Sequence, residues 1–276
     1  MYLLIQGIEV ETRDLKELAK LAGASAIEAM TSNAFRLRDA APDPAIAPHC
    51  KQAQLDFAFV PETRRLADMR LCVMDMDSTL ITIECIDEIA DMQGLKPQVV
   101  AITAAAMRGE LDFPQSLRER VALLKGLDAG ALQRVYDERL RLSPGADAML
   151  AEFARLGIKT LLVSGGFTFF TERMKDRLKL DFTRSNVLEI MDGKLTGRVL
   201  GDIIDADVKR ETLLEVRDEL KLAKTEIIAL GDGANDLKFM TEAGVSVAYH
   251  AKPVVQAQAT HALNYVGLNG VLNLFN

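Results

Sequence analysis

Nothing in this 276-residue chain approaches the roughly 20 consecutive apolar residues a membrane-spanning helix needs. The first residues, Met1 to Gly7, lack the basic region and small-residue cleavage site of a secretory signal, so the expected compartment is the cytoplasm. Cysteine is scarce: Cys50, Cys72 and Cys85 are an odd number without metal-ligand spacing, which implies neither a disulfide framework nor a zinc site. Cys72 lies in an apolar run and reads as a small buried thiol. The three histidines, His49, His250 and His261, are scattered, and the isolated His49-Cys50 pair falls short of four metal ligands. An excess of basic charge is also missing. With 33 Lys and Arg against 40 Asp and Glu, the net charge of −7 argues against nucleic acid as the main partner. It leaves room for a locally positive site that takes an anion. There is no internal repeat and no low-complexity segment.

What is present is the composition of a globular protein with a real core, 49% hydrophobic and 26% charged, at a length that suggests two domains. Residues 2–10 read as a strand, 12–22 as a helix, 40–49 with their three prolines as a loop, and 54–60 as an alternating strand. The first 66 residues form a small α+β unit on this reading. Residues 84–140 are almost wholly helical in pattern, broken near Gly94, Gly109 and Gly126. Strand and helix then alternate, with a hairpin over 186–200 turning at Asp192-Gly193. That alternation predicts an α/β fold with a Rossmann-like parallel sheet, interrupted after its first core strand by a helical insertion.

Three apolar strands end in small polar turns: Val73-Met74-Asp75-Met76-Asp77, Leu162-Val163-Ser164-Gly165-Gly166, and Ala229-Leu230-Gly231-Asp232-Gly233-Ala234-Asn235-Asp236. Open α/β sheets bind ligands at the carboxyl ends of their strands. Taken singly, each turn has a structural reading, as helix cap or turn former. A calcium-loop reading of Asp75-x-Asp77-x-Thr79 fails, because Leu80 stands where glycine is needed and Ile86 where glutamate is needed. Together the turns suit phosphoryl transfer. Asp75, Asp77 and Asp232 offer hard oxygen ligands for Mg²⁺, and a carboxylate can attack phosphorus to split hydrolysis into two steps. A loose phosphoryl transition state also needs a cation near its equatorial oxygens, and Lys209, after Asp205-Ala206-Asp207, is a candidate, although as one of 33 basic residues it reads by itself as a solvated helix charge.

Asp75-Met76-Asp77-Ser78-Thr79, Ser164-Gly165-Gly166-Phe167, Lys209 and Gly231-Asp232-Gly233-Ala234-Asn235-Asp236 resemble, in order and spacing, the four motifs of the haloacid dehalogenase superfamily. The runs Ile83–Ala90, Phe113–Arg120 and Gly165–Phe170 are similar to the branch of that superfamily that hydrolyses O-phosphoserine. The resemblance covers about residues 70–265. It implies a catalytic core of residues 67–82 and 142–276, a helical cap of residues 83–141, and a separate N-terminal unit of residues 1–66. It implies that Asp75 is the nucleophile, and that Asp77 protonates the leaving oxygen and then activates water. Mg²⁺ would be held by Asp75, the Asp77 carbonyl and Asp232, with Asp236 in support. Ser164, Gly165 and Lys209 would grip phosphate, with Asn235 nearby. From the cap, Glu84 would meet the substrate ammonium and Arg120 would fork its carboxylate, a pairing that suits a planar guanidinium. Met107 and Phe113 would form an apolar lid wall. The N-terminal unit is similar to a reduced βαββ form of the amino-acid-binding ACT modules. It has no glycine pattern that secures a ligand, and is expected to be structural or to form a homodimer. The expected partner is thus the small-molecule substrate, with no nucleic acid and no membrane.

Overall fold

The computed structural model describes residues 1–276 apart from the Met107 side chain. In chain order it begins β1 (Tyr2–Gly7), α1 (Thr12–Leu21), β2 (Ala26–Thr31), β3 (Ala34–Arg38), α2 (Ile46–Gln52), β4 (Leu55–Val60) and β5 (Leu71–Met74). Four helices follow: α3 (Cys85–Asp91), α4 (Lys96–Met107), α5 (Phe113–Leu123) and α6 (Gly130–Arg134). Then come α7 (Ala146–Leu156), β6 (Lys159–Phe167), α8 (Thr168–Leu178), β7 (Phe182–Met191), β8 (Lys194–Leu200) and α9 (Ala206–Glu219). The chain ends with β9 (Ile227–Gly231), α10 (Leu237–Met240), β10 (Val245–Tyr249), α11 (Pro253–Gln256) and β11 (His261–Leu263). Among the described residues, no helix is long and apolar enough to cross a membrane.

Two compact units divide the chain: Met1–Cys72 with Ser143–Lys159 and Leu222–Asn276, and Val73–Leu142 with Thr160–Lys221. The first opens with a four-stranded antiparallel sheet in the order β2-β3-β1-β4. Its βαββαβ sequence of elements has one helix and one strand more than a reduced βαββ copy. Apolar stripes on the two helices close a core of Leu3, Ile5, Leu15, Leu18, Leu37, Ile46 and Leu55. The expected loop over 40–49 gives way to α2 at Ile46. Pro48 falls in the first turn, where its missing N–H has no helical partner to lose. The same unit carries the parallel strands β9, β10 and β11. Buried Asp56 on β4 accepts three backbone N–H bonds, from Asn264, Tyr265 and Val266, at 2.7, 2.9 and 3.0 Å.

The chain passes from the first unit to the second along β5. Strand order is β11-β10-β9-β5 on the first side and β5-β6-β7-β8 on the second, a mixed and mostly parallel sheet. In the second unit β6 and β7 run parallel, while β7 and β8 form the expected antiparallel hairpin. Asp192 and Gly193 turn it with positive φ at both positions, the geometry that matches strand twist. Charge ties α3 to its surroundings: Arg139, in the turn past α6, donates to Asp91 at 2.6 Å and to Glu88, and Lys96 at the start of α4 donates to Glu88 at 3.1 Å. On α5 the Asp112 side chain and the Gln115 side chain cap each other's backbone N–H groups.

Candidate active site

In the second unit the candidate site starts where β5 ends. Asp75 follows Met74 in extended conformation, and residues 76–80 turn tightly back, with Ser78 left-handed at φ 56°. That turn needs a small polar residue, and the Ser78 hydroxyl donates to Glu84 Oε1 at 2.6 Å. Lys209 comes in from the first turn of α9, whose cap is Asp205 accepting from the N–H groups of Asp207 and Val208. With no exposed surface, Lys209 donates from Nζ to Asp75 Oδ1 at 2.7 Å. A buried ammonium placed this way satisfies the carboxylate and leaves a positive charge beside it.

Asp77 accepts weakly from the Cys85 N–H at 3.4 Å. Burial, with the Glu84 carboxylate beside it, pushes the Asp77 carboxyl up to about 7 against the pull of Cys85 and Lys209. Glu84 keeps exposed surface, yet the protein around it raises its carboxyl. The Ser78 hydrogen bond and the Arg120 charge pull it down, while Asp87 pushes it up. Partly buried Arg120 donates from Nε to the Ser116 carbonyl at 3.3 Å. Burial lowers its guanidinium, and the charges of Asp87, Glu84 and Asp77 hold it up. The helical insertion therefore sets an acid and a base within each other's field, close to the carboxyl end of β5.

Ser164, Gly165 and Gly166 continue β6 in a bulge; α8 starts only at Thr168, so the loop is not itself a helix start. Ser164 is buried and its hydroxyl accepts from the Gly166 N–H at 2.8 Å. Both glycines are required by what stands next to them. A Cβ on Gly165 would meet Phe113 Cζ at 2.8 Å, and one on Gly166 would meet Asp77 Oδ2 at 2.9 Å and Ser164 Oγ at 3.0 Å. Phe113, at the start of α5, thus lies against the loop. The Met107 side chain lies outside the described residues.

In the first unit Asp232 follows β9 as expected. Fully buried Asp236 accepts from the N–H groups of Asp232 and Gly233 at 3.2 and 3.0 Å, and Asn235 donates to it at 3.3 Å. Gly231 leaves no room for a side chain, since a Cβ there would stand 2.6 Å from Asp236 Cβ. Asp232 and Asp236 thus bring two carboxylates together just past β9. Asn186, which the sequence reading passes over, is buried on β7 and bonds both Gly165 and Ile204. The available signal is an asparagine in a strand interior, where β-branched residues are usual.

A sheet whose strand ends carry an Asp-x-Asp turn and a serine-glycine loop, with a buried lysine brought in by a helix, defines a phosphoryl-handling hydrolase. A family model for haloacid dehalogenase-like hydrolases matches residues 69–244, and the chain belongs to that family. A second model, a domain of unknown function (DUF4072), matches residues 3–46. Over 215 residues the chain is 56% identical to the phosphoserine phosphatase of a Polaromonas species, covering 76% of this chain and 91% of that protein. A crystal structure of a probable phosphoserine phosphatase from Vibrio cholerae superposes with a TM-score of 0.86 at 37% identity, covering 99% of this chain and 85% of that one. A solved phosphoserine phosphatase described as a phospho-aspartyl intermediate analogue superposes at 0.71 with 36% identity, covering 75% of this chain and 99% of that one.

Proposed function

We infer that this chain hydrolyses O-phosphoserine to serine and phosphate, the last step of serine biosynthesis, through an aspartyl-phosphate on Asp75. The observation that carries the chemistry is the 2.7 Å contact of buried Lys209 with Asp75. It orients the Asp75 carboxylate, the group that attacks phosphorus in this reading. The Lys209 charge, the Ser164 hydroxyl and the Gly165 N–H then offset charge on the equatorial oxygens as the phosphoryl group passes across. Asp77, raised to about 7 by burial and Glu84, carries a proton in a fair share of molecules at neutral pH. That suits donation to the leaving serine oxygen and recovery of a proton from attacking water.

Glu84 and Arg120 select the substrate in this reading, one facing the ammonium and the other the carboxylate. Their opposed charges already act on each other. In this reading residues 83–141 serve as the cap and residues 67–82 and 142–276 as the catalytic core, with residues 1–66 as the small α+β domain that precedes them. Phe113 supplies the cap's apolar wall and excludes water from the acyl-phosphate. Asn235 lies beside the phosphate. We place the enzyme in the cytoplasm and expect any homodimer to form through residues 1–66.

For the cation, the available donors are carboxylate oxygens, Asp75, Asp232 and Asp236, without histidine or cysteine. Such a set suits a hard ion like Mg²⁺ rather than zinc or copper. Asp75, the Asp77 carbonyl and Asp232 would hold it, with Asp236 bracing the Asp232 turn. When bound, Mg²⁺ supplies positive charge to the phosphate oxygens. The test is phosphate release from L-phosphoserine against phosphothreonine and a panel of phosphosugars, with Mg²⁺ and with EDTA. A flat substrate profile would overturn the substrate, and activity that survives EDTA would overturn the metal dependence.

A further inference from the structure

A site that grips phosphate between a loop and a lysine works only if the two are held at a fixed spacing, since a misplacement of about 1 Å can cost roughly 100-fold. In the second unit that spacing passes through one side chain. The β6–β7 ladder pairs Val163 with Arg184 and then Phe167 with Asn186, so β6 takes more residues than β7 to cover the same step. Ser164, Gly165 and Gly166 stand against Ser185 alone, a surplus of two residues that bulges out of the β6–β7 ladder. Asn186 ties the bulge down. Its Nδ2 donates to the Gly165 carbonyl at 2.8 Å, and its Oδ1 accepts from the Ile204 N–H at 2.9 Å.

The two partners fix the orientation of the amide, because a carbonyl only accepts and a backbone N–H only donates. Ile204 directly precedes Asp205, the cap of α9, and Lys209 lies in the first turn beyond it. One side of the amide therefore holds the serine-glycine loop and the other holds the root of the lysine helix. Asn186 is 1% exposed, and a buried amide in a strand interior is costly unless both of its ends are bonded. For the strand alone, valine or threonine would serve as well.

We infer that Asn186 is a positioning residue that sets the distance between the phosphate-gripping loop and the helix carrying Lys209. The inference rests on the phosphatase reading and adds a residue to it. Asn186→Asp is nearly isosteric, keeps the acceptor for Ile204 and turns a carboxylate oxygen toward the Gly165 carbonyl. In the full-length chain with Mg²⁺, the inhibition constants of inorganic phosphate and of L-serine are compared between wild type and variant. The phosphate constant should rise about 10-fold, the size of one well-placed hydrogen bond. The serine constant should stay unchanged, because Glu84 and Arg120 hold that product. A merely structural residue would reduce the folded, active fraction and hence kcat, leaving both constants as they were, and that result overturns the inference. If Asn186→Asp does not fold, Asn186→Ala takes its place. If a variant is inactive, calorimetric titration with phosphate alone gives the same comparison. A wild type that hydrolyses p-nitrophenyl phosphate but not phosphoserine would sink the substrate reading, while the phosphate comparison would still decide the role of Asn186.

Discussion

Acid should weaken the first unit through one histidine. His261, on β11, is buried, and its Nε2 lies 2.5 Å from Arg64 Nη1. A guanidinium can only donate, so the imidazole must accept and must be neutral. Burial, and then the Arg64 charge, push the imidazole from 6.5 down to about 4. Between these values the unfolded chain binds a proton that the folded chain refuses. The contribution to stability is thus complete above pH 6.5 and is lost progressively as pH falls toward 4. At 1.36 kcal/mol per unit, a shift of this size amounts to about 3 kcal/mol. For a chain of this length that corresponds to roughly 6–12 °C in Tm. Other carboxyl groups also titrate here, so the useful quantity is a difference. His261→Gln keeps an acceptor for Arg64 and cannot take up the proton. Melting followed by circular dichroism from pH 7.5 to 4.5 should show wild type losing ground to the variant as pH falls. Curves that run parallel across the range would refute the assignment of a buried neutral imidazole.

Three substitutions address the site and the scaffold. Asp75→Asn should abolish phosphate release while leaving the circular dichroism spectrum unchanged; residual turnover near wild type would exclude Asp75 as nucleophile. Arg120→Ala should raise the KM for phosphoserine by about 10–100-fold, the range for charged hydrogen bonds, with little effect on p-nitrophenyl phosphate. An unchanged KM for phosphoserine would remove the carboxylate clamp. Asp56→Ala leaves three partly buried N–H groups without their acceptor and should cost about 2–3 kcal/mol in urea unfolding, while a loss below about 1 would mean the 264–266 segment finds other partners.

The acid turn at Asp75, the serine-glycine loop and the Asp232 turn were legible because each is a local pattern: an apolar strand that stops at small polar residues. The hairpin at Asp192-Gly193 was legible for the same reason. The β2–β3 pair was not. β2 reads Ala-Ile-Glu-Ala-Met-Thr, is exposed along nearly its whole length, and has neither alternation nor β-branched enrichment. As an edge strand it is specified by its partner, β3, and no single-chain periodicity reports that. β11 is only three residues long. Ser78 and Asn186 escaped notice because their importance lies in partners Glu84, Gly165 and Ile204, not in their own spacing.

The glycines of the phosphate loop show why a legible motif can still hide its cause. Gly165 and Gly166 are not among the residues with positive φ, so backbone freedom does not account for them. What excludes a side chain at Gly165 is Phe113, which arrives from a distant helix of the insertion. At Gly166 it is Asp77, Ser164 and Met76, the first two being residues we propose for the chemistry. An alanine at Gly166 would need no unusual backbone, and meets its obstacle in the side chains of Asp77, Ser164 and Met76. The loop is glycine-rich because the site is crowded, and that crowding arises where the carboxyl end of β5 and the bulge in β6 meet. Asn186 belongs to the same logic: a bulge that frees the loop from its ladder needs a replacement tether, and the strand beside it supplies one.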